Sequence, residues 1–180
     1  MKKKIMLGVG VLVVVLASMA AWLVLVGNKR SPEETVALNN GGLDVKVVYC
    51  RPYKKERLIF GDKASGAVVP YDTYWRLGAN AATAITFAKD ASFAGHPIKA
   101  GTYRMYAVPG AKIWKVTLAN GLGWGAREPD HANDVLTVEV PAETAPSPLE
   151  QFQIRFADDG GAKMEFAWDT TVVRVPLAAN

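Results

Sequence analysis

The residues best suited to chemistry in this chain fall in VPYDTYWRLGANAAT (69–83), where Trp75 and Arg76 stand just before the small-residue turn Gly78-Ala79-Asn80. A guanidinium can donate paired hydrogen bonds to a carboxylate or phosphate. Asn80 and Thr83 add neutral polar contacts, and Gly78 and Asn80 tolerate left-handed backbone. Small residues at 78, 79, 81 and 82 let a ligand or another backbone approach closely. Together with Tyr49, Arg51, Tyr71 and Trp124 they make a candidate ligand-binding patch of aromatic faces and guanidinium groups, suited to a sugar or a small anion. A plainer reading competes with it: Arg76 ties its own loop together through carbonyls or an internal carboxylate, and Trp75 fills the core.

Other polar groups give less. Tyr53-Lys54-Lys55-Glu56-Arg57 is a cationic loop, to be read either as an anion-binding rim or as a solvated connection. His96 falls in a Gly-His-Pro turn, and His131 stands among Glu128, Asp130 and Asp134. That spacing fits neither a zinc site nor a calcium loop, so it reads as a solvated acidic loop. The chain carries no Gly-x-Ser-x-Gly elbow, P-loop or dinucleotide fingerprint. Carboxylates paired only in space would escape this reading. No catalytic residue, metal site or cofactor is expected. Cys50, the single cysteine, cannot form an intrachain disulfide and reads as a small buried hydrophobe.

The net charge of +4 comes from the N-terminus, where Lys2, Lys3, Lys4, Lys29 and Arg30 flank an apolar run. Residues 31–180 carry 16 basic and 17 acidic residues, so the domain offers no electrostatic case for nucleic acid. Residues 5–26 are apolar apart from Ser18. As a helix they would extend about 33 Å, enough for a hydrocarbon core of about 30 Å. The run is therefore expected to be an uncleaved signal-anchor within residues 1–30, with the N-terminus cytoplasmic and the domain outside. The alternative is secretion after cleavage near Ala20, which would leave a greasy stub on the mature protein.

The elements that must position the patch read mostly as strands. Ser31-Pro32-Glu33-Glu34 has the form of a helix start and Asn39-Asn40-Gly41-Gly42 of a stop, giving a linker with a short helix over 31–42. Period-two alternation marks strands at 43–49, 83–87, 103–107 and 114–118, with further strands at 135–140, 151–156, 164–168 and 172–177. On the third of these, Tyr103, Met105 and Ala107 share one face and Arg104 and Tyr106 the other. Residues 141–148 read as a proline-rich connection, and 158–161 as a hairpin turn. Short strands with turns at this spacing predict an antiparallel β-sandwich over 43–180, preceded by one transmembrane helix.

Three blocks carry a resemblance: SPEETV (31–36), YCRPYKKERLIFG (49–61) and VPYDTYWRLGANAATAITFAKD (69–90). IKAGTYRMYAVPG (98–110), Trp114 and the Trp124-Gly125 pair continue it. In this order they resemble the bacterial "domain of unknown function 2911" family over residues 31–156. The resemblance implies a β-rich domain exported to the bacterial envelope, and no mechanism. It also implies histidine where Glu33 stands, glycine or serine at Cys50, glycine at Glu56 and an acid at Ala81. The expectation is a binding or interaction module at the inner membrane, facing outward, for a sugar-like or small anionic ligand or an envelope protein partner. An envelope hydrolase acting on glycans or peptides, or a pure scaffold, is the alternative.

Overall fold

The computed structural model describes residues 14–19, 31–158 and 160–180. Residues 14–19, inside the apolar run, are helical, and the rest of the run lies outside the described residues. No described helix is long and apolar enough to cross a membrane.

The domain is mostly β. Its strands are β1 (Glu33–Asn40), β2 (Leu43–Cys50), β3 (Phe60–Gly61), β4 (Val69–Pro70), β5 (Thr83–Phe87), β6 (Ala91–Phe93), β7 (His96–Ile98), β8 (Gly101–Val108), β9 (Ile113–Ala119), β10 (Asp134–Asp158) and β11 (Ala162–Ala179). Nine of them form one antiparallel sheet in the order β1-β2-β5-β8-β9-β10-β11-β6-β7, while β3 and β4 pair in parallel beside it. His96 and Pro97 belong to β7, so the turn expected around them is confined to Ala94 and Gly95, both at positive φ.

The helix expected over 31–42 is a strand. Glu34, Val36 and Leu38 alternate with exposed neighbours, and Val36 and Leu38 pack against the core. This period of two overrides the cap-like SPEE sequence. The ladder runs from Glu33 opposite Cys50 to Asn40 opposite Leu43. Gly41 and Gly42, at φ 58° and 88°, close it as a two-residue hairpin rather than ending a helix. The proline-rich stretch 141–148 is likewise not a connection but the middle of β10. The ladder to β11 slips between Thr144 and Leu149 and again before Gln153, so Pro146 and Pro148 fall where no ladder hydrogen bond is required of them. The four late strands merge into two long ones as a result.

These long strands let β10 serve two neighbours. Its first part pairs with β9, its later part with β11, and the later part also reaches the segment after β2. Lys54 N–H donates to Glu150 O (2.6 Å) and Phe152 N–H to Pro52 O (3.0 Å). The core lies within this fold-back, with Trp75, Trp114, Phe152, Trp168 and the half-buried Phe60 meeting at ring separations of 5.0–6.2 Å. Tyr103, Met105 and Ala107 join that core. The opposite face of β8 is also covered: Arg104 and Tyr106 are buried, with Tyr74 ring against ring with Tyr106 and the loop after β9 tied to Arg104.

Candidate functional site

Sequence and fold meet at an open cleft of about 700 Å³. Its walls come from four segments: Ser31 at the entry to the domain, the turn carrying Tyr53, Lys55 and Arg57, Val68 and Val69 at the start of β4, and Arg76 with Gly78–Asn80. Trp75 and Trp168, both buried, line its inner side.

The turn is built at some cost. Arg57 N–H donates to Lys54 O (3.2 Å), and the two residues between them, Lys55 and Glu56, sit at φ 49° and 59°. Both are left-handed positions, where a side chain costs roughly 1–2 kcal/mol. Leu77 (φ 52°) and Asn80 (φ 56°) repeat this on the opposite wall. Backbone strain of this kind persists where the surrounding structure over-determines it. Here the determinants are visible. Trp75 exchanges two main-chain hydrogen bonds with Ala107 of β8 (2.8 and 2.9 Å), and its indole donates to Gly78 O (3.2 Å). Thr83 Oγ1 donates to Leu77 O (2.7 Å). Gly78 has no room for a side chain, since a Cβ there would stand 2.7 Å from Cys50 O.

The electrostatics of the cleft are one-sided. Arg57 is held by donating to the carbonyls of Lys54 (Nε, 2.9 Å) and Tyr53 (Nη2, 2.5 Å), and Arg76 by donating to that of Asn80 (Nη1, 2.7 Å). Neither they nor Lys55 has a carboxylate partner among the described residues. Of the nearby acids, Glu56 lies exposed between Lys55 and Arg57 in the chain, and three others are engaged. Glu34 pairs with Arg51 (3.0 Å), Asp169 with Lys54 (2.5 Å), and Glu150 accepts the Lys55 main-chain N–H (2.9 Å). The indole Nε1 of Trp168 is buried and has no acceptor among the described residues. The cleft is thus rich in donors and short of acceptors.

Of the residues singled out in the sequence, Trp75, Arg76 and Asn80 line this cleft, and the other five do not. Tyr49 is buried, donating to Glu34 Oε2 (2.6 Å) and accepting from Ile154 N–H (2.8 Å). Burial and then the Glu34 bond push its phenol far above the usual range. Arg51 is occupied by Glu34 and Phe152 O, and Thr83 braces the turn from inside. Tyr71 is half-buried beside β3, with its N–H on Gly61 O (2.8 Å). Trp124 projects, 69 % exposed, from the loop after β9. The cleft also takes in Lys55 and Arg57, from the cationic run 53–57, and Trp168. Nothing local marks Trp168, which reaches the cleft from β11.

A second polar cluster lies on the far face of β8. Tyr106 Oη donates to Asp134 (2.8 Å to Oδ1), and His131 Nδ1 is 2.9 Å from Asp134 Oδ2. The Asp134 hydrogen bond raises the His131 pKa above its ordinary value, with Glu128 adding to it. No group of three or more metal-ligating side chains occurs among the described residues.

The family model for a protein of unknown function, DUF2911, matches residues 31–177, nearly the whole of the described domain. The chain belongs to this family. No curated protein and no solved structure matches it. Within the matched region Glu56 holds φ 59°, a left-handed position that glycine would adopt without a steric penalty.

Proposed function

We propose that this family member is a membrane-tethered, outward-facing ligand-binding domain of β-sandwich form, and that its cleft captures a small anionic ligand. The observation that carries the reading is the set Lys55, Arg57 and Arg76: three cations around one cleft, without carboxylate partners among the described residues, two of them fixed in place by main-chain carbonyls. Guanidinium groups held this way have already lost much of the freedom that binding would otherwise cost. The cleft volume falls in the range of about 300–1,000 Å³ typical of small-molecule sites. Among the described residues no carboxylate, histidine or cysteine lines it, so capture fits these walls better than acid–base hydrolysis. The tether is the apolar run 5–26, with the inner membrane as its location.

Thermal unfolding in the presence of inorganic phosphate, citrate, acidic sugars and neutral sugars tests this. An anion bound only by the folded state adds about 2.7 kcal/mol at a hundredfold excess over its dissociation constant. The expected result is a raised midpoint with anions and none with neutral sugars, abolished in Arg76→Ala. Equal responses to neutral sugars, or no response to any anion, would overturn the reading.

A further inference from the structure

The site of chain entry suggests what the cleft meets. Ser31, the first residue of the domain, is itself a cleft wall: its carbonyl accepts from Asn80 Nδ2 (3.2 Å), and Pro32 O accepts from Arg51 N–H (2.8 Å). Only Gly27–Arg30 separate it from the apolar run that ends at Val26. Even fully extended, the path from Val26 to Ser31 spans no more than about 18 Å. The polar headgroup layer itself occupies about 5–7 Å on each side of the hydrocarbon. A domain tethered this closely keeps the Ser31 wall of its cleft at, or just above, the headgroups.

Two features of the rim fit that position. Leu58 and Val68 are neighbours, Val68 N–H donating to Leu58 O (3.0 Å), and both are exposed, at 49 % and 39 %. Val68 lines the cleft, while Leu58 directly follows the cleft cation Arg57 in the chain. Apolar side chains next to unpaired cations are the composition by which proteins settle into an anionic membrane interface. Lys55, Arg57 and Arg76 offer donors alone, matching a phosphate group that offers acceptors alone.

Resting on the anion-capture reading above, we infer that the ligand is the headgroup of an anionic phospholipid in the same membrane that holds the tether, with Leu58 and Val68 seated at the interface beside it. The domain then lies down on the membrane when anionic lipid is present and stands free of it when only neutral lipid is.

The full chain reconstituted in lipid nanodiscs tests this. Thermal unfolding is measured in phosphatidylcholine alone and with about a quarter phosphatidylglycerol. The expected result is a midpoint about 5 °C higher in the anionic discs, lost in Arg57→Gln/Arg76→Gln and kept in the charge-matched pair Lys112→Gln/Lys115→Gln. The midpoint in neutral discs reports whether each variant is folded. A rise that both pairs of substitutions weaken equally means general surface attraction and overturns the inference. A rise with citrate or inorganic phosphate in neutral discs, without one from anionic lipid, also overturns it but leaves anion capture standing. No rise in any arm removes both.

Discussion

Arg76 donates from Nη1 to the carbonyl oxygen of Asn80, four residues on and 2.7 Å away. The bond closes the turn over Gly78 and leaves the other guanidinium donors without a partner among the described residues, on a wall of the cleft. One side chain therefore serves the fold with a single N–H and is available to a ligand with the rest. Because the bond is exposed, Arg76→Ala should cost less than about 1 kcal/mol of stability. It should nevertheless remove the anion-dependent rise in midpoint. Denaturant titration with and without citrate separates the two effects. A loss of several kcal/mol would mean that Arg76 is chiefly a structural residue.

Glu56 occupies a left-handed position that glycine adopts without a steric penalty. Glu56→Gly should stabilise the domain by about 1 kcal/mol, the relief at φ 59° being partly offset by the greater freedom of glycine in the unfolded chain. The midpoint should rise by about 3 °C. A lower midpoint would show that the glutamate side chain makes a contribution larger than its strain.

Gly78 is the opposite case. At φ 151°, with Cys50 O only 2.7 Å from where a Cβ would stand, Gly78→Ala forces either the turn or β2 to move. A destabilisation of about 3 kcal/mol is expected. Chemical denaturation of the variant measures it, and a change below about 1 kcal/mol would mean the turn can shift freely.

His131 gives a pH dependence with a definite sign. Its folded-state pKa is raised by the Asp134 hydrogen bond, so its contribution is fully present below the unfolded value of 6.5 and fades as pH rises through the folded value. Tyr106 and Glu128 also face the ring. His131→Asn should therefore lower the midpoint more at about pH 5 than at about pH 9. An equal loss at both would show that packing on Tyr106, rather than charge, is what the imidazole supplies.

Much of the strand pattern was legible because alternation is a local signal. The strand read at 83–87 is β5, and the two-faced character of Tyr103–Ala107 appears in β8 as read. Where local signals conflicted, the longer-range partner won. SPEE looked like a helix start, but β2 offered Glu33–Asn40 a full ladder and the core a place for Val36 and Leu38. The site was half legible. Trp75, Arg76 and Asn80 lie close together in sequence and share the cleft, whereas Tyr49 and Arg51 turned inward to a carboxylate, Glu34, that sequence alone could not pair with them. Trp168 was invisible as a cleft residue because it stands on β11, about ninety residues along the chain from Arg76, and only the tertiary fold brings the two together.

The bonds from Asn80 to Ser31 and from Arg51 to Pro32 join the cleft to the point where the chain enters the domain. If residues 5–26 tether the domain as proposed, a pull along them arrives at Ser31 and is borne first by these two hydrogen bonds, before the β1–β2 ladder is stressed. A ligand seated between Ser31 and Arg76 would stiffen that junction. Tension great enough to part it would open the wall and let the ligand go, so in a tethered domain occupancy of the cleft and force on the chain would be coupled by the route the chain takes into its own fold.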